Sequence, residues 1–188
     1  MPRPSRLFCL LAVLVPVLQA GWHGGPAAAS SAGVQDSTGV ETGKPPRKEG
    51  APRAVFQIEE GGVFVIELMP GAAPKTVERI RGLIEEGFYD GKEFHRVESW
   101  LVQTGRTEEE YPVLEGEMFS QRIGHERGMV GMARLGNDYD SATTQFYILK
   151  ERKPMLSGEY TIFGRVVEGM DVVDGIEQGD EIESCRIE

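Results

Sequence analysis

The chain has 188 residues, with 20 Lys and Arg against 30 Asp and Glu and a net charge of −10. That length suits one domain with a real core and is short for two. The acidic balance excludes sequence-independent binding to nucleic acid, which needs clustered cations, and equally a hold on anionic lipid surfaces.

Arg3 and Arg6 precede an apolar run from Leu7 to Leu18, followed by Gln19-Ala20-Gly21. A basic start, a short apolar run and a small residue describe a secretory signal peptide over residues 1–20, cleaved after Ala20, with Ala27-Ala28-Ala29 as the second choice. The run falls short of the roughly 20 residues a spanning helix needs, so an uncleaved anchor is the weaker reading. Residues 21–52 turn to Gly, Ala, Ser and Pro with no period of 2 or 3.6, the composition of a disordered linker. An ordered domain is expected over 53–188.

Val55 to Glu59 and Val63 to Leu68 flank Glu60-Gly61-Gly62 and read as a β-hairpin with a tight glycine turn. Pro74 suits a first helical turn, and Val77, Ile80, Leu83 and Ile84 follow at helical spacing up to Gly87. The stretch Phe94 to Gly105 then packs an arginine, a glutamine and a tryptophan into β-like sequence. Strict alternation puts Phe94 and Arg96 on one face and His95 and Val97 on the other. Leu101 and Gln103 share a face, and a bulge or break near Glu98-Ser99 is needed to bring Gln103 to the side of Arg96. A cation and an amide beside Phe, Trp and Leu make a poor core but a good groove, with apolar walls and a few donors.

Further strands are expected over Gly128 to Arg134, Thr144 to Leu149, Tyr160 to Val167 and Glu181 to Ile187, with one or two helical turns from Met170 to Ile176. Gly136 to Ser141 is turn chemistry. Many short strands and two helices far apart in sequence predict a mainly β fold, a closed eight-stranded antiparallel barrel capped by two helices. If the leader is removed, Cys185 is the one cysteine left, so it is expected on the inward face of the last strand. His95 is expected opposite Arg96 as a hydrogen-bonded structural residue. His125 has Glu126 beside it but no second ligand at metal-site spacing, so no metal is expected. No serine or cysteine comes with a recognisable base, which argues against a hydrolase.

The stretch also resembles the catalytic segment of the cyclophilins, the peptidyl-prolyl cis–trans isomerases, in its Phe94-His95-Arg96, its nearby aromatic and its Gln103-Thr104-Gly105. Five further motifs follow the family in order: Ala73 to Val77, Gly87 to Gly91, Gly131 to Arg134, Ser141 to Ile148 and Tyr160 to Val166. The resemblance runs from about Val55 to the C-terminus and is specific because of that order. It implies a bacterial-type isomerase of Xaa-Pro bonds in unfolded or nascent polypeptides, working without cofactor or metal, with nothing that asks for a partner chain; the leader makes it periplasmic or secreted. Arg96 and Gln103 are the implied catalytic pair; Gln103 either orients Arg96 or holds a substrate carbonyl. Trp100, Leu101, Tyr147 and Leu156 would line the proline pocket and Gln145 would hold substrate backbone. Ala133, Arg134, Met155 and Tyr160 complete the implied substrate-binding set.

The chain departs from the family in four places. The segment between Arg96 and Gln103 is one residue shorter than in the eukaryotic members best known for immunosuppressant binding. Trp100 therefore meets the pocket phenylalanine only with a gap just before it. Met155 stands for a tryptophan, which predicts weak cyclosporin binding, and Tyr160 for a pocket histidine, as in bacterial members. Arg134 replaces an asparagine, and its cation is expected to favour acidic residues near the proline. Two other uses of the same fold remain, a non-catalytic module that holds proline peptides and a chaperone.

Overall fold

The structure, a computed structural model, describes residues 50–118 and 122–188. The expected leader and all but the last three residues of the linker lie outside them. The chain divides into Met1–Lys44 and Pro45–Glu188, and the second unit holds everything below.

Strands β1 (Arg53–Ile58) and β2 (Gly62–Leu68) form the expected hairpin. Its turn needs left-handed backbone at Glu60 and Gly62, which the glycine adopts without a Cβ clash. Helix α1 (Pro74–Glu85) buries Thr76, Val77, Ile80, Leu83 and Ile84 as one stripe. Pro74 opens it, and no side chain at its N-cap satisfies the orphan amides. The Glu117 carboxylate does so from a distant loop, accepting from Lys75 N at 3.1 Å and Thr76 N at 2.9 Å. A negative group there also complements the helix dipole. Gly87 ends the helix with φ 73°, while Phe88 N donates to Leu83 O and Gly87 N to Ile84 O.

The remaining strands are β3 (Arg96–Val97), β4 (Leu101–Thr104), β5 (Met129–Met132), β6 (Phe146–Leu149), β7 (Ile162–Glu168) and β8 (Ile182–Ile187), with α2 (Met170–Gly175) between the last two. All pairs are antiparallel, in the order β3-β4-β6-β5-β7-β2-β1-β8. The helices pack on the sheet, α1 against β7 and β8 and α2 against β2. The core lies inside the curl, where Phe56, Phe64, Tyr89, Phe146 and Phe163 meet ring to ring at centroid distances of 5.0–6.2 Å.

The closed barrel is not formed. The sheet curls but stays open between its edge strands, because β3 is only two residues long and cannot ladder with β8. The seam is bridged at Glu93 and Glu181, with Phe94 N donating to Asp180 O at 2.8 Å. Cys185 does pack against the core from β8. Burial and the neighbouring Asp90 push its thiol up to about 12, so it stays protonated and poorly nucleophilic.

Candidate active site

Hydrogen-bond register builds the site. Arg96 pairs with Gln103 across β3 and β4, Gln103 with Tyr147 across β4 and β6, and Tyr147 with Gly131 across β6 and β5. Residues directly opposite in a ladder share a face, so these four form one row on the outer face of the curl. The neighbouring row, Val97, Val102, Ile148 and Val130, points into the core. The chain reverses at Glu98-Ser99-Trp100, where Glu98 N donates to Leu101 O at 2.9 Å. A chain reversal, not a bulge, therefore brings Arg96 and Gln103 together. Regular pairing starts only at Arg96, so the alternation expected through Phe94 fails: Phe94 is fully buried in the core and Arg96 faces out.

Beside this row lies a recess of about 160 Å³ lined by Arg96, Trp100, Leu101, Gln103, Ala133, Arg134, Tyr147, Leu156 and Tyr160. Nine of the eleven residues predicted for the site converge there. Its volume is below the roughly 300–1,000 Å³ of sites that engulf a small ligand, and suits a single side chain. Leu101 and Tyr147 form its buried floor and pack with the fully buried Leu149, and Trp100, Met129, Leu156 and Tyr160 pack against this cluster. Gln145, the tenth residue, joins through its carboxamide, which accepts from Gln103 Nε2 at 3.0 Å. Gln103 Oε1 in turn faces Arg96 Nη1 at 3.4 Å, a long contact that still aligns the guanidinium. Met155, the eleventh, is 77% exposed and does not line the recess.

A larger recess of about 470 Å³ lies between α1 and residues 111–114. The two cations that line it are already engaged, with Arg79 donating to Pro112 O at 2.8 Å and Lys75 paired to Glu115 at 2.5 Å. Size therefore does not mark the site; convergent donors over an apolar floor do.

Arg134 is not the free cation expected. Its side chain is 6% exposed and its guanidinium lies over the Tyr139 and Tyr160 rings at 4.4 and 4.5 Å. It donates to Glu159 O at 2.9 Å and to Gly136 O, and pairs with the Glu159 carboxylate at 3.4 Å. Balanced and stacked in this way, it forms a wall of the recess and offers little charge to a substrate acid.

Three contributors escaped the sequence reading. His125 is buried, and Nε2 lies 2.9 Å from the Tyr147 hydroxyl. Burial lowers its pKa to about 4, which keeps it neutral, and the same cause raises that of the Tyr147 phenol. Gly131 makes room for that phenol, since a Cβ there would overlap Tyr147 Cζ at 2.6 Å. Glu98 accepts from Arg96 Nε at 2.8 Å and from Trp100 Nε1 at 2.8 Å. Those two hydrogen bonds hold its carboxyl below the ordinary range. His95 lies just before β3, and the hydrogen bond expected of it is made to Gln145. Its Nδ1 is buried without a hydrogen-bond partner, and burial followed by Arg106 lowers its pKa.

Carboxamides that can hold a peptide backbone, one fixed cation and a recess for one apolar side chain define a protein that works on peptide chains. The family model described as cyclophilin type peptidyl-prolyl cis-trans isomerase matches residues 54–187. A probable peptidyl-prolyl cis-trans isomerase of Brucella suis is 37% identical over 151 residues, covering 71% of this chain and 75% of the relative. Peptidyl-prolyl cis-trans isomerase B of Bacillus subtilis is 36% identical over 140 residues, covering 71% of this chain and 96% of the relative. Two solved structures share the fold. One is a Hirschia baltica cyclophilin, with TM-score 0.63, 23% identity, and 71% and 72% of the two chains covered. The other is a Cryptosporidium parvum cyclophilin type isomerase solved in the presence of the dipeptide Ala-Pro, with TM-score 0.65, 20% identity, and 72% and 98% covered. The chain belongs to the cyclophilin-type peptidyl-prolyl cis-trans isomerases. Its activity class is accordingly that of an isomerase.

Proposed function

We propose that the chain accelerates Xaa-Pro rotation in proteins folding outside the cytoplasm, with Arg96 stabilising the twisted amide while the proline ring sits in the recess. Rotation breaks amide resonance at a barrier of about 18–20 kcal/mol, which makes it slow enough to limit folding. No bond is made or broken, so the catalyst need only favour the twisted form over both planar ones. As the amide twists, the prolyl nitrogen becomes pyramidal and gains a lone pair. A guanidinium, charged at any working pH, can donate to it. Gln103 orients Arg96, and Gln145 holds substrate backbone.

The observation that carries this reading is the register row. It sets Arg96 at the rim of an apolar recess, with Gln103 and Gln145 linked behind it. The Cryptosporidium relative was solved in the presence of Ala-Pro, in keeping with a proline-containing ligand for this fold. The basic start and apolar run before Ala20 support export. Met155 offers neither a ring nor an N–H there and is exposed, in keeping with weak cyclosporin binding.

The experiment is refolding of a denatured secreted protein whose slow phase is proline-limited, with catalytic amounts of the full chain. The slow phase should accelerate in proportion to enzyme and revert with Arg96→Ala. Binding of the unfolded client without acceleration would overturn the catalytic reading in favour of a module that only holds proline peptides. A chain found in the cytoplasmic fraction with its first twenty residues intact would overturn the export reading.

A further inference from the structure

The turn between β3 and β4 carries a charge for which the mechanism above has no use. Glu98 sits on a backbone fixed by its own amide, which donates to Leu101 O at 2.9 Å. Its Oε1 takes Arg96 Nε at 2.8 Å and Arg96 Nη2 at 2.7 Å. Its Oε2 takes the Trp100 indole N–H at 2.8 Å. One carboxylate thus ties the cation of the site to an aromatic wall of the recess. The guanidinium is planar, so holding its Nε–Nη2 edge fixes the direction of the rest. The remaining amino group, Nη1, donates one N–H to Gln103 Oε1 at 3.4 Å and has a second to offer. Two cations also lie over the Trp100 ring, with Arg96 Cζ 5.7 Å and Lys153 Nζ 5.2 Å from its centroid.

Electrostatics alone would argue the opposite effect, since a carboxylate on Arg96 weakens the field felt by the substrate. The side chains of Arg96 and Glu98 are 46% and 42% exposed, so water already screens most of that cost. Geometry is not screened. A long arginine side chain loses considerable rotamer freedom on being held, and catalysis is sensitive to displacements near 1 Å.

We infer that Glu98 is a positioning residue of the isomerase site: its carboxylate chelates the outer edge of Arg96 and the Trp100 indole, presenting Nη1 to the twisting amide. The inference rests on Arg96 acting as proposed.

The test is kcat and KM for a short Xaa-Pro peptide, measured on the full chain and on Glu98→Ala, Glu98→Gln, Arg96→Ala and Arg96→Ala/Glu98→Ala. Glu98→Ala should lower kcat by about fivefold with KM within about a factor of two. Glu98→Gln, which keeps an acceptor oxygen in the same shape, should recover part of the loss. In the Arg96→Ala background, removal of Glu98 should cost nothing further, because the group it positions is gone. In a Trp22→Phe background Trp100 is the one tryptophan, and its emission should shift on Glu98→Gln. Unchanged or raised kcat in both Glu98 variants would overturn the positioning role, the raised rate marking Glu98 as a brake. An equal loss with and without Arg96 would overturn it too, as a purely structural effect. Full activity in Arg96→Ala is a different result and would refute the reading of Arg96 itself.

Discussion

Two adjacent rows of the same sheet have opposite characters. Val97, Val102, Ile148 and Val130 run across four strands on the inner face. One residue away, Arg96, Gln103, Tyr147 and Gly131 run across the same strands on the outer face. All four residues of β6 are buried, yet Phe146 and Ile148 belong to the core while Tyr147 lines the recess and packs with Leu149 in a separate cluster. Burial alone cannot tell a site wall from a core residue; the pleat can, because successive side chains leave on opposite faces. Inner-row changes should therefore act on stability, and outer-row changes on turnover.

The largest expected effect breaks the inner face. Phe146 is fully buried among Phe56, Tyr89 and Phe163, so Phe146→Ala should cost about 3–5 kcal/mol of unfolding free energy by urea titration. The part that still folds should turn over normally. Next comes acid, which reaches the sheet through His125. With a pKa of about 4 in the fold against about 6.5 unfolded, the native state refuses a proton that the unfolded chain takes up between those values. Stability is then complete above pH 6.5 and declines as pH falls toward 4, by up to about 3 kcal/mol. His95, also lowered, adds in the same direction. Urea midpoints across that window should decline less in His125→Gln than in the parent.

A smaller effect separates site from core on one ring. Gly131→Ala would push the Tyr147 phenol aside, at about 1–3 kcal/mol of overpacking. Its sharper readout is a raised KM for a proline peptide, because the recess floor moves. Gln103→Ala should do least, removing one long contact to Arg96 and one to Gln145. A loss of about 0.5–1.5 kcal/mol, seen as a two- to tenfold fall in kcat/KM with an unchanged melting temperature, is expected.

Much of this was legible in the sequence, for reasons that also explain what was not. The hairpin, the first helix and the later strands follow from local periodicity and turn residues, which need no knowledge of distant partners. Alternation failed at Phe94 because β3 begins only at Arg96 and the preceding residues bridge to the segment before β8. Sequence pattern counts strands and so predicts a closed barrel, but it does not say whether a two-residue edge can close the seam. His125, Gly131 and Glu98 each act through a neighbour that only the folded register supplies. The charge of Arg134 was legible; its enclosure by Tyr139, Tyr160 and Glu159 was not.

The most direct measurement is kcat/KM for rotation of a short Xaa-Pro peptide by the full chain and by Arg96→Ala, with the melting temperature of each. Arg96 lies on the outer row in a half-exposed ion pair, so its removal should hardly move the melting temperature. The account predicts a fall in kcat/KM of about 100-fold or more. A folded Arg96→Ala variant that turns over as fast as the parent would contradict it.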